Sequence, residues 1–193
     1  MMKDPLKNFL FRDEHVCPWW CCFTFDNFLR KLFHNSEKIL RPYVVEGNII
    51  LDIGPGMGYF SIPLARMVGE KGKVIAADIQ PEMLRALQKR AKKSGVEQQI
   101  MTHLCKGDSL GLNMQFDFIL AFWMVHEVPT RLAFFKEIKS LLKPSGRFLL
   151  SEPILHVNQV MYEKTVETAE SVGLVLKEKP KISLSRSALF TVD

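Results

Sequence analysis

The stretch LDIGPGMG, residues 51–58, decides the fold of this 193-residue chain. It closes the apolar run of residues 48–53, which predicts a strand buried on both faces, and leads into a helical pattern over residues 59–68. Glycines at a strand-to-helix turn let the backbone pass close to a ligand, where a side chain would collide with it. The motif therefore predicts the first strand, turn and helix of an α/β ligand-binding domain.

The glycine spacing separates this motif from that of dinucleotide-binding proteins. Those proteins use G-x-G-x-x-G/A, whereas here the third glycine, Gly58, comes one residue early and is followed by the bulky Tyr59. Asp52 lies two residues before Gly54, and a carboxylate there suits a ligand with an ammonium group better than a pyrophosphate. The spacing therefore argues against NAD.

A second carboxylate, Asp78, ends the predicted strand of residues 73–78, twenty residues after Gly58. In open α/β sheets a carboxylate at this point can accept hydrogen bonds from both ribose hydroxyls. The alternative is that Asp78 only caps the helix that Pro81 begins. The glycine motif upstream favours ribose binding.

The rest of the chain alternates between short apolar runs and helical periods, the pattern of a parallel sheet with crossover helices. Further strands are predicted at residues 100–105, 116–122, 147–151, 174–179 and 187–192. Further helices are predicted from Pro81 to near Gly95, from Pro129 to a turn at 144–146, and over 156–171. Residues 1–35 differ, being dense in aromatic side chains, so we divide the chain into an N-terminal cap or extension (1–35) and one α/β domain (36–193).

Composition and charge restrict the class of protein. Apolar residues make up 47% and charged residues 24%, as in ordinary globular proteins. No apolar run is long enough to span a membrane and the start lacks a secretory pattern, so we expect a cytoplasmic enzyme. The net charge of +5 permits a nucleic-acid partner but does not favour one, because the positive residues are spread along the chain.

Three of the four cysteines, Cys17, Cys21 and Cys22, lie close together near the start. Their spacing lacks the paired CxxC of a structural zinc site, and no disulfide framework is expected without a secretory signal. We expect no metal. A thiophilic substrate such as arsenite, bound by these thiolates, remains an alternative.

Three stretches together carry a resemblance to a known family. LDIGPGMG, AADIQPEML at residues 76–84 and LLKPSGRFLLSE at 141–152 resemble motifs of the class I methyltransferases that use S-adenosylmethionine. The likeness covers residues 45–152 well and 153–192 loosely, and it is nearest to the small-molecule branch that includes ubiquinone and menaquinone C-methyltransferases and arsenite methyltransferases. It implies a Rossmann-like α/β fold, with a seven-stranded, mostly parallel sheet and helices on both faces. The implied cofactor is S-adenosylmethionine, with S-adenosylhomocysteine as product.

The resemblance also implies a role for individual residues on the cofactor side. Asp52 would hold the methionine ammonium, directly or through water. The turn formed by Gly54, Gly56 and Gly58 would pass under the methionine and ribose. Asp78 would take the ribose diol.

Four further residues are implied to contact the ends of the cofactor. Ile79 would lie against the adenine, and Asp108 would accept a hydrogen bond from the adenine amino group. The alternative for Asp108 is a turn residue facing solvent. Ala121 and Phe122, at the end of the fourth strand, would flank the methionine.

The acceptor side of the site is predicted after the fourth strand. His126 follows that strand at the edge where open α/β sheets bind ligands, and its pKa range suits proton removal from a hydroxyl or thiol. Its alternative role is to shape the segment after the strand. Trp19, Trp20, Phe122 and Trp123 are candidates for an aromatic wall around the sulfonium and the substrate, with packing as the alternative.

The chain lacks the motifs of two other classes of methyltransferase, which restricts the kind of acceptor. The (N/D)-P-P-(Y/F) motif of amino-group methyltransferases is replaced by AFWM at residues 121–124, and the acidic metal ligands of catechol-type O-methyltransferases are missing. We therefore favour a small-molecule methyltransferase with residues 1–35 as a lid. An RNA or protein methyltransferase, or a non-catalytic module that binds S-adenosylmethionine, remain alternatives.

Overall fold

A seven-stranded sheet forms the centre of the computed structural model, which describes residues 34–106 and 109–192. Its strands, in chain order, are β1 (Ile49–Ile53), β2 (Lys73–Asp78), β3 (Ile100–Leu104), β4 (Phe116–Phe122), β5 (Leu142–Pro153), β6 (Val175–Glu178) and β7 (Ser185–Thr191). The helices are α1 (Ser36–Leu40), α2 (Ser61–Val68), α3 (Pro81–Lys93), α4 (Arg131–Leu141) and α5 (Gln159–Ser171), with a 3₁₀ turn at Val125–Glu127.

The strands lie in the order β3-β2-β1-β4-β5-β7-β6. Strands β1 to β5 pair in parallel, and β7 runs antiparallel to both β5 and β6. The chain order reverses between β1 and β4, and open α/β sheets bind ligands in the crevice beyond the carboxyl ends of their strands at such a point. The predicted fold class is confirmed.

Helices cover both faces of the sheet because the buried strands are apolar on both sides. In β1, Leu51 and Ile53 pack into one core, which includes Phe135 of α4. Ile50 packs into the other core, against Leu64 of α2. Asp52 alternates with Leu51 and Ile53 and therefore points to the face that α2 covers.

The structure corrects two boundaries. We predicted that residues 144–146 end a helix before a strand at 147–151, but β5 already begins at Leu142, and its register with β4 shifts between Phe116 and Phe118. The helix predicted from residue 156 begins at Gln159, because the Asn158 side chain accepts a hydrogen bond from Met161 N and fixes the helix start there. Residues 154–156 form a turn instead.

Candidate active site

The glycine turn after β1 has the backbone conformation that its sequence predicts. Gly54, Gly56 and Gly58 have φ angles of 64°, 54° and 89°, a region that side chains disfavour. A β-carbon on Gly54 would lie 3.1 Å from Met124 Cβ, and one on Gly58 would lie 3.1 Å from Leu87 Cγ. A β-carbon on Gly56 would have no neighbour within 4 Å. Gly56 therefore faces open space at the carboxyl edge of the sheet.

Asp52 is held in the interior next to this turn. Only 2% of the residue is exposed, and its Oδ2 accepts a hydrogen bond of 2.6 Å from the Ser61 hydroxyl at the start of α2. A buried carboxylate requires such partners, because burial without hydrogen bonds is costly. The structure thus fixes the position of a carboxyl group near the carboxyl end of β1.

Asp78 lies against the glycine turn from the neighbouring strand. Its Oδ1 accepts a hydrogen bond of 2.9 Å from Gln80 N. Burial raises the pKa of Asp78 to about 6, although hydrogen bonds from the backbone N–H groups of Gln80, Ile79 and Gly56 act in the opposite direction. The N-cap residue of α3 is Gln80 and not Asp78, and the bond from Gln80 N gives Asp78 a local structural role beside the ribose role predicted for it.

The ends of β2 and β3 leave apolar side chains accessible near Asp78. Ile79 is 46% exposed, and Leu104, whose Cα pairs with that of Asp78, is 47% exposed. Ile79 is the residue predicted to lie against the adenine, and Leu104 is a second exposed apolar residue at a strand end of the same edge. Asp108, the other predicted adenine contact, lies outside the described residues.

The end of β4 is packed into an aromatic cluster. Ala121 and Phe122 are both buried, and the Phe122 ring centroid lies 4.4 Å from that of Phe60. Trp123 has a φ of 62°, which is unusual for a bulky residue, and its indole Nε1 donates to Ser185 Oγ at 2.9 Å. The predicted contacts of Ala121, Phe122 and Trp123 with ligands stay predictions.

His34, the first described residue, is fastened to this same cluster. Its carbonyl accepts a hydrogen bond from the Tyr59 hydroxyl, and its Nε2 lies 2.7 Å from the Ser183 carbonyl oxygen. Its ring makes edge contacts with those of Phe122 and Trp123. His34 therefore lies next to the end of β4. Trp19, Trp20, Cys17, Cys21 and Cys22 lie outside the described residues.

A histidine–carboxylate pair occupies the gap between the ends of β4 and β5. His126 Nδ1 lies 2.6 Å from Glu152 Oε2, and Glu152 is only 1% exposed. The Glu152 Oε1 atom is buried without a hydrogen-bond partner in the described part of the chain. Burial lowers the pKa of His126, but the hydrogen bond and charge of Glu152, with the charge of Glu127, outweigh burial and the opposing charge of Arg131, so that the pKa is raised.

His126 was predicted from the sequence, but its contacts with Glu152 and His156 were not. The His156 ring stacks against the His126 ring with the centroids 6.1 Å apart, and Glu127 Oε1 lies 4.0 Å from His126 Nε2. Glu152 could have been noticed as a carboxylate that follows the apolar run of β5. Among residues 34–106 and 109–192, no group of three histidine, cysteine or acidic side chains could hold a metal ion. In the same residues, no helix combines the length and apolar character needed to cross a membrane.

This sheet order, with a glycine turn after β1 and a carboxylate at the end of β2, defines a class I methyltransferase fold. A methyltransferase-domain family matches residues 45–184, and the chain belongs to that family. Its solved structural neighbours include a SAM-dependent methyltransferase from Aquifex aeolicus, with a TM-score of 0.83 and 23% identity over 92% of this chain and 100% of that one.

Similar sequences include quinone-pathway enzymes. The chain is 32% identical to the ubiquinone/menaquinone biosynthesis C-methyltransferase UbiE of Vibrio cholerae, over 61% of this chain and 46% of that protein. It is 30% identical to the demethylmenaquinone methyltransferase of Lactobacillus johnsonii, over 68% of this chain and 52% of that protein. The chain thus spans about half the length of the curated relatives it matches. The predicted family, the fold and S-adenosylmethionine as the cofactor of this class are confirmed.

Proposed function

We propose that this protein transfers a methyl group from S-adenosylmethionine to a small-molecule acceptor. The observation that carries the proposal is the open space at Gly56, next to the carboxylate of Asp78. The residue after Asp78, Ile79, is exposed at the same edge. A ligand with a ribose and an apolar ring fits this arrangement, because the carboxylate accepts hydroxyl hydrogen bonds and the isoleucine offers an apolar surface. The bound cofactor would supply an electrophilic methyl group on a sulfonium.

The proposed roles of the cofactor-side residues follow the positions of the strand ends. Asp52 holds the ammonium of the methionine, while the turn of Gly54, Gly56 and Gly58 lies under the methionine and ribose. Asp78 takes the ribose diol. The proposal extends to Ile79 and Asp108 at the adenine and to Ala121 and Phe122 at the methionine.

On the acceptor side, we propose that His126 removes a proton from the acceptor as the methyl group is transferred. Its Nδ1 lies 2.6 Å from Glu152 Oε2, and with Nδ1–H as the donor in this bond, Nε2 is left to accept the proton. The acceptor atom gains the methyl group and loses a proton to Nε2, and the sulfur leaves with the electron pair of the broken bond. Positioning donor and acceptor supplies much of the remaining rate enhancement.

A small acceptor is favoured by the quinone-pathway relatives, and a labelling experiment tests it. Methyl-labelled S-adenosylmethionine is incubated with the protein and a cell extract, and small molecules are then separated from macromolecules. We expect the label among the small molecules. Label in RNA or protein would overturn this part of the proposal, and an RNA acceptor would also make activity fall steeply as salt is raised.

Two glycine substitutions isolate cofactor binding from backbone strain. Gly56→Ala and Gly95→Ala both place a β-carbon at a positive φ, 54° and 67°, and neither β-carbon meets an atom within 4 Å. Both variants should therefore lose a similar stability, about 1–2 kcal/mol. Only Gly56→Ala should weaken binding of S-adenosylhomocysteine, measured by calorimetry. Equal affinities in the two variants would contradict the assignment of the site.

We also propose that residues 1–35 form a lid over the acceptor. The support is the position of His34, whose backbone and ring are held by Tyr59, Ser183 and the aromatic cluster at the end of β4. A chain that joins the fold at this point starts beside the acceptor side of the site. The aromatic content of the segment suits a cover that excludes water.

Deleting residues 1–30 tests the lid and leaves His34 in place. We expect cofactor affinity within a few-fold of the full chain, while turnover is abolished because water and acceptor are no longer enclosed. Calorimetry and the methyl-transfer assay measure the two effects, and thermal unfolding serves as a control of folding. Parallel loss of binding and turnover would refute the lid.

A further inference from the structure

An exposed apolar patch lies beside the acceptor side of the site and has no part in the function proposed above. It is formed by residues after β5, in the first turn of α5 and before β7, namely Ile154, Leu155, Val160, Met161 and Leu184. Leu155 is 85% exposed and Val160 60%. Grouped exposed apolar side chains of this kind mark interaction sites more often than single ones do.

The patch is held in place by the fold. Ile154 N donates a hydrogen bond of 3.1 Å to the Leu184 carbonyl, which joins the turn after β5 to the segment before β7. Leu184 has a φ of 54°, a strained conformation for a leucine, and yet its side chain stays exposed. Arg186 then ties the segment to α5, through Gln159 Oε1 at 2.9 Å and the Val157 carbonyl at 2.8 Å.

The segment before β7 is cationic. Residues 179–186 carry Lys179, Lys181 and Arg186 and no acidic residue, whereas Glu163 in α5 accepts a hydrogen bond of 2.7 Å from Gln159 Nε2. Lys179 Nζ lies 5.9 Å from the ring centroid of Tyr162, which belongs to α5. Exposed apolar side chains joined to a cationic segment suit the interface of an anionic lipid bilayer, where apolar side chains enter the headgroup region and cations meet lipid phosphates.

We propose that this patch docks the protein peripherally on an anionic membrane surface. His156, within the same turn, stacks against His126 at 6.1 Å, so a docked patch brings the bilayer next to the proposed proton acceptor. An apolar acceptor then passes from lipid to the site without crossing water. The proposal stands apart from methyl transfer, because membrane binding requires neither cofactor nor acceptor.

Vesicle sedimentation tests the docking with matched variants of the full chain. Wild type should sediment with vesicles of mixed phosphatidylglycerol and phosphatidylcholine, and much less with phosphatidylcholine alone. The double variant Leu155→Ser/Val160→Ser should bind the anionic vesicles at least about tenfold more weakly. Val45→Ser, which removes a 62% exposed apolar side chain at the amino end of β1, should bind like wild type.

Two double variants test the contribution of the lysines near the patch. Lys179→Gln/Lys181→Gln should weaken binding to anionic vesicles and reduce its salt dependence, whereas Lys89→Gln/Lys92→Gln on α3 removes the same charge and should not. Failure of wild type to bind anionic vesicles would overturn the proposal. So would equal binding by the Leu155/Val160 variant, which is expected if residues 1–33 or a second copy cover the patch. If the wild type binds no vesicles and self-associates, and the Leu155→Ser/Val160→Ser variant does not self-associate, the patch is a contact between two copies of this chain.

Discussion

The His126→Gln variant is expected to lose at least about 10²-fold in kcat, the usual contribution of a positioned general base. Glutamine keeps a polar group of similar reach but cannot accept the acceptor's proton at neutral pH. Affinity for S-adenosylhomocysteine should be unchanged, since His126 lies after β4 and the cofactor-side carboxylates end β1 and β2. The assay uses the acceptor that the labelling experiment identifies, and calorimetry measures the product's affinity.

The pH profile separates a proton acceptor from a packing residue. The groups facing the His126 ring are Glu152 from β5, His156 after it, Arg131 from α4 and the adjacent Glu127. Because the pKa of His126 is raised, and the base must be neutral, the rate should rise with pH through a value above 6.5. Glu152→Gln removes the carboxylate that raises the pKa of His126. The rise of the rate with pH should therefore move to lower pH, and the maximal rate should fall.

His156→Gln is the matched control for these variants. It removes an imidazole at the same edge that stacks on His126 but makes no hydrogen bond with Glu152 in the described residues. We expect a kcat close to wild type and an unchanged pH limb. A His126→Gln enzyme with wild-type kcat, or a Glu152→Gln enzyme with an unmoved limb, would show that the pair only shapes the segment after β4.

The second large effect is expected at Asp78. Asp78→Ala should weaken the binding of S-adenosylhomocysteine by about 1–3 kcal/mol, roughly 5- to 150-fold, if the carboxylate holds the ribose. Asp78→Asn keeps one acceptor oxygen, so its affinity for S-adenosylhomocysteine should lie between those of the wild type and Asp78→Ala. Glu82→Ala, which removes an exposed carboxylate paired with Arg85 on α3, should bind like wild type. An affinity unchanged by Asp78→Ala would refute the ribose assignment.

Local patterns in the sequence predicted an α/β domain with a parallel sheet, and the family resemblance implied its seven-stranded form. The strand over β1 follows from a continuous apolar run, and the positive φ angles of Gly54, Gly56 and Gly58 follow from the glycine spacing in the turn. The early start of β5 could not be predicted, because a proline and a glycine at residues 144–146 resemble a turn. Pairing with Phe116 of β4, distant in sequence, draws Leu142 into the sheet.

The acceptor side was harder to predict because its contacts join residues far apart in the chain. His126 and Glu152 are brought together by the pairing of β4 with β5, in which Phe122 lies opposite Ser151. His34 reaches the same edge through the carbonyl of Ser183. No spacing rule connects such positions, so the sequence alone indicated His126 without showing which carboxylate orients it.

Calorimetric titration of the wild-type chain with S-adenosylhomocysteine tests the central claim most directly. We expect one site per chain, with an affinity that increases as pH rises through about 6 and then levels off, because Asp78 must lose its proton to accept both ribose hydroxyls. Below that pH the affinity should fall by up to about tenfold per pH unit. No binding at any pH, or an affinity that does not change through pH 6, would contradict the assignment of the β1–β2 edge as the cofactor site.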